Sequence, residues 1–354
     1  MAATEMNLDK RKSAILRAIV RDYVRTGQPV GSQVLAQRYR LKVSAATIRN
    51  DMGVLEELGY LSQPYTSAGR IPTDKGYRWF VDNWPGTAWP DLTGPQKAAI
   101  EGAIRPHFAD LHQTLESTSR LLSKLTEATA VATAPPPTSD RLRRIELFSR
   151  ADGRVTLLLV ADTGVVEQSV VELSGKATEE DLEKLAKALN KELVGTELGE
   201  LSSKLLASKS TAKPKPTARE LQDRSRIATE IDRIVGAGRD RIFRGGTANI
   251  LSSDKFADID VAHDVVGVLE QTPVISGLLE AARRSSAVVV FIGHELQIEQ
   301  MQSCAVILAP YEVQGDRRGA VGVVGPTRMD YPHTISAVEA VAAELSRMLD
   351  GLGD

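Results

Sequence analysis

Cysteine is almost absent from this chain of 354 residues: Cys304 stands alone, which excludes an internal disulfide framework and fits a reducing cytoplasm. It lies in the apolar run CAVILAPY, so a buried, inert thiol is expected there. No apolar run approaches the roughly 18 residues of a membrane span, and MAATEMNLDKRKSA lacks an apolar core of signal-peptide length. The five histidines, His107, His112, His263, His294 and His333, are scattered, and none pairs with Cys or Glu at zinc-ligand spacing. His294-Glu295 is not completed to H-E-x-x-H. The glycine-rich run from Gly319 to Gly325 has alternating apolar residues and no following lysine, which favours a tight strand and turn over a phosphate cradle. Asp330, just beyond it, is expected to cap or orient the next segment. No catalytic constellation, cofactor motif or metal site emerges, so an enzyme is not expected.

What the chain does have is a division of charge. Residues 1–80 hold 13 Lys/Arg against 7 Asp/Glu, a net of +6, whereas the whole chain is −2, leaving −8 for the other 274 residues. A basic head on an acidic body points to nucleic-acid binding. The length suits about two or three domains.

The head has a readable pattern. Leu8–Thr26 carries Ile15, Leu16, Ile19, Tyr23 and Val24 at helical spacing, with Gly27 and Pro29 to end it. Ser32 is a cap for a short helix over Gln33–Tyr39, and Arg40–Val43 separate that helix from a third. The third starts at the N-cap Ser44 and buries Ile48, Met52, Leu55 and Leu58. Its opposite face carries Ala46, Asn50, Gly53 and Glu57, with Arg49 beside it. Arg reads guanine and Asn reads adenine in the major groove, each with paired hydrogen bonds. A solvated amphipathic helix has the same pattern, so the neighbours matter. Two short helices joined by such a turn form a helix-turn-helix. Tyr60–Tyr65 and Arg70–Pro72 then flank Thr66-Ser67-Ala68-Gly69 as a two-stranded wing, with Gly69 expected at positive φ and Thr73 capping the next helix.

The head therefore reads as a winged helix. In it Arg49 and Asn50 are expected to contact base edges, while Ser44, Ala46 and Thr47 meet or position the DNA at the helix start. Lys42, Arg70, Lys75 and Arg78 are expected phosphate contacts, Ser67 belongs to the wing's contact surface, and Arg70 is also placed to enter a minor groove.

The runs VGSQVLAQRY and VSAATIRNDMGVLEELGYLSQPYTSAGRIPTDKGYRWFVD resemble the HrcA family of heat-inducible transcription repressors. The wing run TSAGRIPTDKGYR is the most specific part, and GGTANIL at 245–251 and GAVGVVGPTRMDYPHTI at 319–335 extend the resemblance over residues 8 to 349. Tyr65 stands where the family usually has His.

Beyond the head, Ile100, Ile104, Phe108, Leu111, Leu115, Leu122 and Leu125 form a helical stripe interrupted by Pro106, which reads as linker helices closed by Pro135-Pro136-Pro137. Residues 142–173 read as strands, with Leu157–Ala161 as a buried one, and Ala287–Ile292, Cys304–Pro310 and Gly319–Val324 read as their partners, before a closing helix Ile335–Leu349. Between them lie a charged helix Glu179–Leu193, a polar linker Lys209–Thr217 and a helix Ile227–Val235. The fold class expected is α+β and multidomain. The resemblance implies the plan: an N-terminal winged helix-turn-helix (1–90), linker helices (91–134), a GAF-like α/β sensor domain (140–175 and 255–354), and an inserted, mainly helical dimerising subdomain (176–254).

The same resemblance implies a cytoplasmic homodimer that represses chaperone operons of the groE and dnaK type by binding double-stranded DNA at an inverted repeat (CIRCE). It implies, too, that the GroEL chaperonin keeps the repressor active until heat-unfolded clients titrate it. A ligand-gated repressor, with a metabolite in the GAF-like domain setting DNA affinity, is the alternative.

Overall fold

The computed structural model describes residues 8–350 apart from 40, 67, 87, 108–110, 136–139, 163, 176, 208–216, 239–241, 253–255, 257–258 and 314–316. The chain divides into two units, residues 1–132 with 242–312 and 320–354, and residues 133–241 with 313–319.

The first unit opens with α1 (Lys10–Thr26), whose N-cap Asp9 accepts from the Lys12 amide and whose C-cap Gly27 takes φ 66. α2 (Ser32–Arg38) begins one residue earlier than expected: Ser32 is its buried first residue, and Gly31 holds the cap position without a side-chain bond. α3 (Ala45–Glu57) packs on both through Ile48, Met52 and Leu55, against Ile15, Leu16, Ile19 and Leu35, all of them buried. Each such burial contributes about 1.5–3 kcal/mol before chain entropy is charged against it. β1 (Leu61–Ser62) and β2 (Ile71–Pro72) pair antiparallel, Leu61 opposite Pro72. α4 (Asp74–Asp82) follows, with Thr73 capping it through the Gly76 amide. α5 (Gly94–Ile104) and α6 (Leu111–Thr126) are separated by a 3-10 turn at Arg105–His107, where Pro106 removes a helical donor; Phe108 lies outside the described residues. A strand absent from the sequence-based expectation, β3 (Thr129–Thr133), comes next and is buried throughout.

The second unit corrects the expected domain plan. β4 (Leu142–Ser149), β5 (Val155–Ala161) and β6 (Val166–Val171) form their own antiparallel three-stranded sheet, and do not join the strands near the C-terminus. They share one core with α7 (Glu179–Leu193), α8 (Leu201–Ala207) and α9 (Ala218–Gly238). The reason lies in alternation. Val155, Leu157, Leu159 and Ala161 are buried, whereas Thr156, Leu158 and Val160 are only half-buried, so β5 packs helices on one face. The inserted piece is thus 133–241, not 176–254. Most of the expected polar linker, 208–216, lies outside the described residues.

The chain returns to the first unit with β7 (Ile242–Gly245), α10 (Ala248–Ser252), α11 (Ile259–Glu270), α12 (Thr272–Arg283), β8 (Val289–Ile292), β9 (Cys304–Val313), β10 (Arg317–Pro326) and α13 (Tyr331–Asp350). β3 is completed by them into a five-stranded sheet of order β7-β3-β10-β9-β8. Gly322 in β10 lies so close to β9 that a Cβ would fall 2.0 Å from the Ile307 carbonyl oxygen, in keeping with a strand there and not a phosphate loop. Asp330 accepts from the His333 amide at 3.3 Å at the start of α13. Cys304 is fully buried and burial pushes its thiol up to about 12. α5 and α6 are not a free linker: both pack on α13, and α6 also covers β7, where a Cβ on Gly245 would meet the Ser119 carbonyl at 2.4 Å. No single helix among the described residues is long and apolar enough to cross a membrane; α11 and α12 together are apolar but are bent by 76° and bury Val265, Leu269, Ile275 and Leu279 in the core of this unit.

Candidate nucleic-acid interface

The start of α3 is built by a cap. Ser44 Oγ accepts from the Thr47 amide at 3.1 Å and lies 3.0 Å from Thr47 Oγ1, which fixes the first turn and leaves both hydroxyls on the surface side. Ile48, Met52 and Leu55 anchor the inner face. Ala46, Arg49 and Asn50 are consequently exposed, and neither Arg49 nor Asn50 has a hydrogen-bond or ion-pair partner among the described residues. Lys42 is exposed in the turn before α3, held at φ 55. These positions form one continuous polar surface around the helix N-terminus, whose unsatisfied amides favour an anion.

α3 is held from behind by ion pairs. Arg11 grips Asp51 with Nε to Oδ2 at 2.6 Å and Nη2 to Oδ1 at 3.0 Å, and Asp51 is nearly buried. Asp22, also nearly buried, takes Arg25 at 2.7 Å and Arg38 at 2.9 Å, tying α1 to α2. Much of the head's positive charge is therefore engaged internally and is not available to a ligand without rearrangement.

The hairpin after α3 has a third participant: Val30 exchanges both backbone hydrogen bonds with Arg70, at 2.9 Å each. Gly69 does not take the expected positive φ; it is needed because a Cβ there would lie 2.4 Å from the Val30 backbone. Gln63 ties the turn by donating to the Thr66 and Ala68 carbonyls. Ser67 lies outside the described residues, and Tyr65 is exposed. Among the cations expected at phosphates, Arg70 pairs with Glu56 at 2.8 Å, and Lys75 donates to the Leu58 carbonyl at 2.8 Å while its ammonium lies 4.6 Å from the Tyr60 ring centroid. Arg78 binds Glu295 and the Val290 carbonyl, so it is not a free phosphate ligand. Those partners are 217 and 212 residues away in sequence, and no local pattern announces them.

A family model described as the HrcA protein C-terminal domain matches residues 112–335. A protein from Thermobifida fusca named heat-inducible transcription repressor HrcA is 40% identical over 346 residues, covering 97% of this chain and 98% of that one. A protein of the same name from Pelotomaculum thermopropionicum is 35% identical over 347 residues, 98% of each. A solved structure described as a hypothetical protein, at 2.2 Å resolution, superposes with a TM-score of 0.64 at 24% identity over 98% of this chain and 99% of that one, and so shares its fold. With the family model covering more than half of the chain and relatives of this identity spanning nearly all of it, the chain belongs to the HrcA family.

Proposed function

We propose that this chain is a heat-stress transcription repressor whose winged-helix head reads an inverted-repeat operator of chaperone operons (CIRCE) as a homodimer. The observation that carries the reading is the exposed start of α3, where Arg49 and Asn50 stand unpartnered beside Ala46, Thr47, Ser44 and Lys42. Arg49 and Asn50 meet base edges, and Ser44, Thr47 and Lys42 meet the backbone. Ser67, Arg70 and Lys75 complete the surface once Arg70 exchanges Glu56 for phosphate.

Dimerisation is assigned to the inserted unit. The outer face of its sheet aligns Phe148, Thr156 and Val170 in one row, Glu146, Leu158 and Gln168 in the next, and Arg144, Val160 and Val166 in a third. Phe148 and Val166 are each 52% exposed and share this face with Leu158, Val160 and Val170 as well as the charged Arg144 and Glu146, a mixed apolar and charged surface suited to a second copy of itself. The five-stranded unit is read as the GAF-like sensor domain. The chaperonin arm, in which GroEL maintains the active fold, comes from family membership.

A DNA titration at fixed salt tests the whole reading, using the full inverted repeat, one half-site and a scrambled duplex, each with and without GroEL. Tight binding to the full repeat alone, strengthened by GroEL, is the expected result. Folded protein that shows no preference over scrambled DNA overturns the operator assignment, and binding indifferent to GroEL removes the chaperonin from the scheme.

A further inference from the structure

β8 is the outermost strand of the five-stranded sheet, paired only with β9. An outer strand leaves a row of backbone groups without partners, and here α4 of the head covers part of it. Arg78 donates from Nε to Glu295 Oε1 at 2.8 Å and from Nη2 to both Glu295 Oε2 and the Val290 carbonyl at 2.5 Å, while Nη1 reaches Asp82 at 3.3 Å. Glu295 in turn accepts from the Ile292 amide at 2.9 Å, closing the turn that follows β8. One helical turn earlier, Asp74 Oδ2 accepts from the His294 amide at 3.1 Å and lies 2.7 Å from His294 Nδ1. Gly293 makes this approach feasible: it takes φ 56, and a Cβ there would fall 1.9 Å from the Asp74 carboxylate. Asp74 and Arg78 are four residues apart, on one face of α4, and Tyr77 between them packs on Tyr331.

From this geometry we infer that Asp74 and Arg78 are positioning residues for DNA binding: they latch the head to the edge of the body sheet and touch no DNA themselves. All three nitrogens of the Arg78 guanidinium are engaged, so a phosphate contact requires breaking the pair with Glu295. A latched head meets its half-site already oriented. An unlatched one must lose its freedom on binding, once for each head. The latch therefore matters most where two heads must engage together, and this consequence rests on the dimeric reading above. It also makes the head sensitive to the body: loosening of the β8 turn releases α4 without any change in α3.

The test uses the full-length protein with Arg78→Ala, Asp74→Asn and the reversed pair Arg78→Glu with Glu295→Arg. For the single variants, affinity for the full inverted repeat is expected to fall by on the order of tenfold and half-site affinity by roughly threefold, one head's share, with salt slopes near those of the parent. The reversed pair should recover part of that loss. A lost phosphate contact instead lowers the salt slope by about one for each head engaged, and that result overturns the proposal. Hydrogen exchange on the DNA-free protein supplies an independent readout. The His294 amide and residues 289–295 should exchange faster in both single variants by more than any fall in the unfolding midpoint accounts for, and unchanged exchange rejects the latch whatever the DNA result. If the parent itself fails to prefer the full repeat over a half-site, the dimeric reading falls and the exchange experiment alone decides the latch.

Discussion

Tyr77 and Tyr331 pack ring against ring, with centroids 5.5 Å apart and planes inclined at 42°. One comes from the run TSAGRIPTDKGYR and the other from GAVGVVGPTRMDYPHTI, so two of the most distinctive stretches of the chain meet at a single contact. Arg328, three residues before Tyr331, lies against the C-cap of α1, where a Cβ on Gly27 would fall 2.0 Å from its guanidinium. The head and the five-stranded body thus belong to one unit, and the second half of the wing run serves that junction.

The two hydroxyls of this pair differ. Tyr331 donates to the Thr327 carbonyl at 2.8 Å, whereas the buried Tyr77 hydroxyl has no hydrogen-bond partner among the described residues. Tyr331→Phe is expected to cost about 1 kcal/mol, while Tyr77→Phe is neutral or mildly stabilising because it removes an unpaired buried polar group. Urea unfolding of the two variants separates them, and equal losses contradict the assignment.

For α3, the exposed Arg49 is expected to carry base preference. Arg49→Ala should lose about 1–3 kcal/mol of discrimination at one base pair per half-site. Selection of bound sequences from a randomised operator measures this. A uniform weakening with base preference intact would falsify base reading by Arg49 and move it to the backbone.

The Arg11–Asp51 pair is unequal, with Arg11 about half exposed and Asp51 only 6% exposed. Removing the arginine leaves a buried carboxylate whose remaining cation, Lys12, is 3.9 Å away, whereas removing the carboxylate leaves a cation in water. Arg11→Ala is therefore expected to destabilise more than Asp51→Asn. Thermal unfolding of both gives the order, and the reverse order rejects the argument.

The helices of the head were legible because burial there follows a local period: Ile15, Leu16, Ile19 and Ile48, Met52, Leu55 are the stripes that their spacing predicts. Cap residues such as Ser44 and Thr73 carry equally local chemistry. Sheet membership is not local. Leu157–Ala161 has the composition of a strand buried on both faces, yet only alternate residues are buried, and its partners are α7 and α9, not the strands near residue 300. β3, TAVAT, escaped notice because small residues buried on both faces leave no alternation to detect. Charge misled in a similar way: Arg78 is a cation close to the helix expected to bind DNA, and nothing within a few residues reveals that Glu295 holds it.

Acidification should act on the latch through Glu295. Burial works against its carboxylate, but hydrogen bonds from Arg78 and from the Ile292 amide outweigh that, so its carboxyl sits below the ordinary glutamate range. The same contact raises Arg78 further, with burial opposing it and Asp82 adding to the rise. Asp74 and His294 face the same turn. A carboxyl lowered in the folded state contributes stability that is fully present above its unfolded value of about 4.3 and is lost as pH falls through the folded value. Glu295→Gln removes the charge at every pH. The gap in urea midpoint between parent and Glu295→Gln should therefore hold constant from neutral pH down to about 4.5 and close below it. Because Glu295 is about one-third exposed, the gap is expected to be modest and to shrink with added salt. A gap that widens as the pH falls means that Glu295 is stabilised by its protonated form, and the Arg78 pairing would then not be what holds the β8 turn.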